Sequence, residues 1–519
     1  MLQVKNTIKT AGFMIFATLL AKLAGMGRDV LLASLYGTGG QAAAFTTASR
    51  IPLLFFDITL GAAISSSFIP VYNEYLENGQ KQQAARYANT FVTVIVLITG
   101  ILCTVGMLFP RPIVGFISEG LADAEKNLAA QLVVILFPTM IFTALAYALT
   151  GILQSLGEFN VPAAISLVSN GVMMLYLFFV KDRLGIQGVA AAMLIAWSFQ
   201  VFVQIPSLYK KQFRYRPALD LKSEGMKKTV ALALPILISS WVQPINTTVN
   251  IRLASFLNNG HAVAAIDYAN KLYIICVGVL TYAISNLIFP SISRLAASGR
   301  KDELASVIAK AVKIVIAVLL PVMMLFLLLR TPLVRFVYER GEFTAESTVL
   351  TASALLFYSI GMVGFGVSEI LNKAFYALKD GKTPMFVATG GIALNVLLSI
   401  LFVRGLKIGL WGLPLAASIA ANLIGLTLLI LIQKRLQLVH RSDVKNIAKL
   451  LLAAAVMGVC VYALLHALSF GDSLAARFMT LLIPAVFGCM IYIALLFILK
   501  TEEAQDVMTI LRKKGKKVA

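Results

Sequence analysis

FIPVYNEYLENGQ, residues 68–80, and IFPSISRLAASGR, residues 288–300, decide the fold. Each leaves an apolar run through a proline and ends in a polar turn with a glycine, about 220 residues apart. RPIVGFISEG from Arg111 and TPLVRFVYERG from Thr331 repeat that shift, and LGIQGVAAA from Leu184 against IGLWGLPLAA from Ile408 nearly keeps it. Such a repeat predicts two related halves, an arrangement common in transporters that bind substrate centrally.

What surrounds these segments is apolar. The chain has 519 residues, 59% hydrophobic and 13% charged, with a mean hydropathy of +0.85. A soluble domain carries roughly a quarter charged residues, so a soluble enzyme is excluded. Apolar runs fall near 11–36, 43–74, 86–109, 128–154, 162–180, 187–209, 228–257, 263–293, 304–329, 347–377, 384–403, 410–433, 446–468 and 476–499. Runs continuous for about 18 residues or more also exclude an outer-membrane barrel, whose strands alternate over about 10. The expected fold is an all-α polytopic membrane protein of about fourteen transmembrane helices.

The repeat pairs spans one to six with seven to twelve. It predicts an N-terminal lobe over 1–215, a C-terminal lobe over 216–440, two further helices over 441–500 and a basic tail over 501–519. Six spans per half is an even number, so the halves run parallel.

Formal charge is +21, from 45 basic and 24 acidic residues. In a soluble chain that excess would suggest nucleic acid; in this one it orients the protein, and no nucleic-acid partner is expected. The even-numbered loops and tails hold about 26 Lys and Arg, including Lys210, Lys211, Arg214 and Arg216, and the odd-numbered loops about 10. Both termini are therefore expected in the cytoplasm, with Arg512 to Lys517 as a solvated, lipid-facing charge run. Lys5 and Lys9 precede a first span too long for a cleaved leader. Cys103, Cys276, Cys460 and Cys489 lie in apolar runs without CxxC spacing and read as buried small hydrophobes.

Catalysis finds no support. His261, His440 and His466 are scattered beside loops, and no GxSxG, HExxH, phosphate-cradling glycine loop or carboxylate pair is present. The chemistry-bearing residues are ionisable groups inside spans: Lys22, Arg28, Arg50, Arg252, Lys271 and Lys373 against Asp29, Asp57, Asp267 and Glu369. A charge at bilayer depth costs a few kcal/mol, so such groups face a polar cavity or a partner. Glu369 and Lys373 stand at i and i+4, where a local pair and a ligand role are both open. Asp267 reads as an acid near the outer interface. Arg50 in AAFTTASRIP aligns with Lys271 in AAIDYANKLY, one from each half, and Arg252 occupies the span matching that of Arg28. Gly25 and Gly27 before Arg28 would let that helix bend. A convergent set of cations suits a phosphate-bearing substrate, because guanidinium grips phosphate oxygens in pairs.

GRDVLLASLYGTG (27–39), the AF…ASRIP stretch (44–52), ERGEFTAEST (339–348) and AFYALKDGKTP (374–384) together resemble the MurJ (MviN) lipid II flippases of the multidrug/oligosaccharidyl-lipid/polysaccharide exporter superfamily. The likeness runs over essentially the whole chain. It implies two six-helix lobes in a V, alternating access in a bacterial plasma membrane, and a cationic central cavity for the diphosphate and sugars of lipid II. It also implies a groove for the polyprenyl tail at spans thirteen and fourteen. The family's arginines fall on Arg28, with Asp29 beside it, and on Arg50. A third falls on Lys271, which keeps the charge without the bidentate fork.

A glutamate often present in the second span is Leu60 here, with Asp57 nearly a turn earlier. Some relatives bind sodium through carboxylates of the seventh and eleventh spans. Those spans have none here, which weakens the case for sodium and leaves Asn395 and Ser399, helped by backbone carbonyls, as metal candidates. No cofactor is expected; membrane potential or an ion gradient would supply the energy. The expected partners are lipid II and membrane lipids, with the protein a monomer. A flippase for another polyprenyl-linked glycan shares these features. A cation or drug antiporter would want an anionic interior, and a glycan polymerase larger loops than about 20 residues.

Overall fold

The structure, a computed structural model, describes residues 2–61, 64–180, 183–438, 441–468, 471–506 and 508–509; the expectations for His440 and for Arg512 to Lys517 lie outside them. Among the described residues every regular element is helical. The chain forms two compact units. One is Met1–Ala264 with the short segment Arg340–Phe343; the other is Ala265–Glu339 with Thr344–Ala519.

The first unit contains α1 (Leu2–Tyr36), α2 (Gly40–Phe56), α3 (Ile69–Glu77), α4 (Lys81–Leu108), α5 (Pro110–Ile117), α6 (Asp123–Leu136), α7 (Thr139–Ser155), α8 (Asn160–Phe179), α9 (Gly185–Phe202), α10 (Ile205–Lys210), α11 (Glu224–Ser240) and α12 (Val242–Ser255). Between α2 and α3 the chain winds through two π-helical turns, Asp57–Gly61 and Ile64–Phe68. Such turns loosen the backbone ladder and concentrate at functional sites. Pro70 sits in the first turn of α3, where its missing N–H removes nothing from the helix. The seventh span is likewise broken at Trp241, between α11 and α12. Trp241 Nε1 donates to Ile58 O at 2.8 Å, so the break in one span is stitched to the π turn of another.

Gly25 and Gly27 serve packing: a Cβ on either would stand 3.4 Å from Asn170 Nδ2 or 3.0 Å from Met174 Cε of α8. Their absent side chains admit α8 closely. Helix α1 is continuous through both.

The second unit begins four residues into α13 (His261–Ala297) and continues with α14 (Lys301–Tyr338), α15 (Ala345–Ser359), α16 (Met362–Ala377), α17 (Lys382–Ile400), α18 (Gly412–Leu436), α19 (Arg441–Ala467) and α20 (Leu474–Ile498). Helices α15 and α16 meet at 47° and together pass as one span. Gly364 of α16 and Gly425 of α18 bring two backbones together: a Cβ on Gly425 would lie 2.7 Å from Gly364 O. Lipid tails are as apolar as leucine, so such close packing replaces hydrophobic burial as the force between spans. Helices α19 and α20 pack on α14 through Leu450, Ala453, Met457, Val461 and Tyr492, and Tyr492 Oη donates to Ala317 O at 3.0 Å.

Among the described residues eleven helices are long and apolar enough to cross a membrane, or twelve with the bent pair. These coincide with twelve of the expected spans. The other two, near 11–36 and 228–257, fall on α1 and on the broken α11–α12. Of the cysteines, Cys103 is buried, Cys276 and Cys460 are partly buried and Cys489 is exposed. Its neighbours Met490 and Ile493 are exposed too. Position in an apolar run thus did not imply burial for Cys489, because a membrane helix presents apolar residues outward as well.

Candidate functional site

Three of the expected site cations stand in the first unit. Arg28 donates from Nη2 and Nε to Asp29 Oδ1 at 2.9 and 3.2 Å, and from Nη1 to Asn170 Oδ1 at 3.0 Å. Asn170 in turn donates to Ala21 O at 3.2 Å, which fixes its amide and hence the guanidinium. Arg50 lies two helical turns before Asp57, within electrostatic reach of that carboxylate at the first π turn. Arg252, in the last turn of α12, pairs with Glu119 after α5 and lies 5.3 Å from the centre of the Phe116 ring. Beside it Gly120 N donates to Ser255 Oγ at 2.9 Å. The three guanidiniums sit on separate helices with separate partners.

Lys271 belongs to the second unit. Its Nζ is 2.8 Å from Asp267 Oδ2, one turn earlier, and 5.5 Å from the centre of the Tyr268 ring. Asp267 is therefore a largely buried partner of Lys271 rather than a freely exposed interfacial acid; its side chain is 13% exposed. Every cation assigned to the site thus has a carboxylate within reach. Those carboxylates make intramembrane cations tolerable by exchanging desolvation for a local pair.

Sequence reasoning missed Asn170 and Glu119. Nothing marks Asn170 in an apolar span. Glu119 had a signal, because the repeat aligns it with Glu339 of ERGEFTAEST. Glu339 likewise receives arginines, Arg335 at 2.9 Å and Arg477 at 3.4 Å, with Thr348 donating at 2.7 Å. Glu369 and Lys373 do not close into the i,i+4 pair: Lys373 Nζ lies 5.4 Å from the centre of the Phe289 ring. The metal candidates Asn395 and Ser399 are buried, and Ser399 Oγ donates to Asn395 Oδ1 at 3.3 Å.

The quoted motifs acquire physical roles. Glu342 N donates to Ser34 O at 2.9 Å, joining GRDVLLASLYGTG to ERGEFTAEST. Gly37 and Gly341 both have φ of +57°, and a Cβ on either would collide with the other motif's backbone carbonyl, at Glu342 or Ser34. Only glycine meets both demands. In AFYALKDGKTP, Asp380 accepts from Thr383 N at 3.0 Å and Thr383 Oγ1 at 2.6 Å and pairs with Arg435 Nη1 at 2.7 Å. These donors hold its carboxyl at about 2.

A cavity of about 1300 Å³ lies within the second unit between α14, α19, α20 and the end of α18. Val322, Leu325, Ile493 and Leu496 line it, and Lys310 and Lys313 stand at its polar end, paired with Asp506 and with Asp443 and Glu502.

Among the described residues, the eleven apolar helices, twelve with the bent pair, and the charge pairs inside them define a polytopic helical membrane protein. The fold has solved counterparts: an inward-facing multidrug resistance MATE family transporter of the MOP superfamily superposes with a TM-score of 0.67 at 16% identity, covering 82% of this chain and 98% of that one. A structure described as lipid II flippase MurJ in an inward closed conformation superposes more fully, with a TM-score of 0.81 at 25% identity over 95% of this chain and 99% of that chain. The family model "Lipid II flippase MurJ" matches residues 32–482, and the chain belongs to the MurJ family. Relatives include a probable lipid II flippase MurJ of Rhizobium tropici, 29% identical over 89% of this chain and 87% of its own length. Another is the lipid II flippase MurJ of Burkholderia cenocepacia, 28% identical over 80% and 82%. The chain is a multi-pass membrane protein of this bacterial family.

Proposed function

We propose that this protein moves lipid II from the inner to the outer leaflet of the bacterial plasma membrane and performs no covalent chemistry. The observation that carries the reading is the near-complete match, 95% and 99% of the two chains, to a structure described as a lipid II flippase. The repeated six-span lobes, 1–215 and 216–440, would alternate access, with both termini cytoplasmic and one chain sufficing.

In this account the diphosphate-sugar headgroup engages Arg28, Arg50, Arg252 and Lys271. Arg28, Arg252 and Lys271 pair with Asp29, Glu119 and Asp267, and Arg50 lies within electrostatic reach of Asp57. A diphosphate offers several strongly accepting oxygens on adjacent phosphorus atoms and competes well against single carboxylates for a guanidinium fork. Exchange of partners keeps binding weak enough for release, because the cations are never left bare in the bilayer. The cavity beside α14, α19 and α20, apolar at Val322, Leu325, Ile493 and Leu496 and charged at its other end, would suit a polyprenyl tail along its apolar wall. An inside-negative potential favours outward movement of an anion by about 2.3 kcal/mol per charge per 100 mV, so no bound cofactor is required.

The direct test is depletion in a host that depends on the protein. Lipid II should accumulate where an externally added cleaving enzyme cannot reach it. Unchanged accessibility together with loss of a different polyprenyl-linked glycan would instead favour a flippase for that glycan.

A further inference from the structure

Helical Ser and Thr hydroxyls in this chain habitually donate back to their own helix: Thr59 to Phe55, Thr99 to Ile95, Thr143 to Thr139, Thr229 to Gly225 and Ser359 to Leu355. That is the usual resting place of such a group in an apolar setting. Thr281 and Ser285, one turn apart on α13, do not donate back, a state shared among the described residues by the hydroxyls of Thr90, Ser155 and Thr351. They are 0% and 1% exposed, and neither hydroxyl has a hydrogen-bond partner among the described residues. A buried polar atom left so calls for an explanation, and an ion is one.

Two contacts fix what they face. A Cβ on Gly366 would stand 3.5 Å from Thr281 Oγ1, and Lys373 Nζ lies against the Phe289 ring. Both contacts advance in the same direction along α13 and α16, so the helices run parallel here. Interpolation sets Glu369, one turn beyond Gly366, level with Ser285, and Glu369 is within electrostatic reach of Tyr282 on the same stripe. Its carboxylate makes no hydrogen bond or ion pair among the described residues. The neighbouring wall from α14 is apolar, Val315 and Leu319.

We propose that Glu369, Thr281 and Ser285 form a binding site for a monovalent cation of sodium's size between α13 and α16. The donors are all oxygen, which selects a hard cation. One carboxylate with neutral hydroxyls matches a single positive charge, and no trio of His, Cys, Asp or Glu that would hold a transition metal occurs among the described residues. Lys373, one turn along α16, disfavours a doubly charged ion by repulsion. Occupancy would neutralise the one acid of α16 and satisfy both hydroxyls. Cation binding stands independently of the flippase reading; coupling of the ion to transport rests on that reading.

The test is retention of ²²Na⁺ by the full chain in nanodiscs. Saturable retention is expected, displaced by unlabelled NaCl and untouched by choline chloride. Glu369→Gln should weaken it at least tenfold, and Thr281→Val and Ser285→Ala each several-fold. Thr281→Val is nearly isosteric and decides the matter should Glu369→Gln not fold. Absence of saturable retention by the wild type overturns the site, as does wild-type affinity in Thr281→Val, or binding lost in Asn395→Ala but kept in Glu369→Gln. Retention without lipid II movement by the same preparation would leave the site standing and reject the flippase reading.

Discussion

At the residue scale the informative result is the pairing of interior charges. Arg28, Arg50, Arg252 and Lys271 were legible in the sequence because ionisable residues in apolar spans are few and the repeat aligns Arg50 with Lys271. Their partners were less so: Glu119 lies 133 residues from Arg252 and Asn170 lies 142 from Arg28, separations that no helical spacing reveals. Asp29→Asn tests the local role of one acid. It leaves a half-buried guanidinium without its charged partner, and loss of such a charged hydrogen bond costs about 1–3 kcal/mol. The thermal midpoint of the purified protein should fall accordingly; an unchanged midpoint would show that Asn170 alone suffices. Lys271→Arg restores the fork and should move lipid II at least as fast as the wild type in vesicles, whereas a severe loss would show that the position requires an ammonium.

At the element scale, hydropathy located the spans because a bilayer demands about 20 apolar residues per helix. It did not show the π turns at 57–61 and 64–68, or that the break at Trp241, three residues before Pro244, is joined to the first of them by Trp241 Nε1 to Ile58 O. Nor did it show that two family motifs touch. Gly341→Ala should destabilise the protein by about 1–3 kcal/mol, since it adds left-handed strain to a collision with the Ser34 carbonyl. Gly37→Ala should do likewise, and the double variant should lose less than the sum, because both damage one contact. Strict additivity of the melting shifts would refute the shared contact. The loop before α17 predicts a pH dependence. The Thr383 side-chain and backbone donors, then Arg435, lower the Asp380 carboxyl from its ordinary 3.8 to about 2. A depressed folded value contributes stability that is present above 3.8 and lost as pH falls towards 2. The melting difference between wild type and Asp380→Asn should therefore shrink across that window, and a constant difference would contradict the assignment.

At the scale of the whole molecule, the 220-residue shift is the ground for expecting a duplication, and the motif order announced the family through covalent sequence alone. What sequence could not supply is the state of the interior charge. Counting spans suggested a cationic excess; the structure gives each proposed site cation an acid within reach, so on the proposed function substrate capture would be a trade of carboxylate for phosphate. Transport as exchange predicts sensitivity to membrane potential: collapsing an inside-negative potential in oriented vesicles should slow outward movement of the anionic headgroup. Indifference to potential would point to an ion gradient as sole driver. The most direct measurement of the central claim is the rate of lipid II flipping by reconstituted Arg28→Ala and Arg50→Ala proteins, each first shown to be inserted and folded. The account predicts that both lose flipping; wild-type rates in both would contradict it.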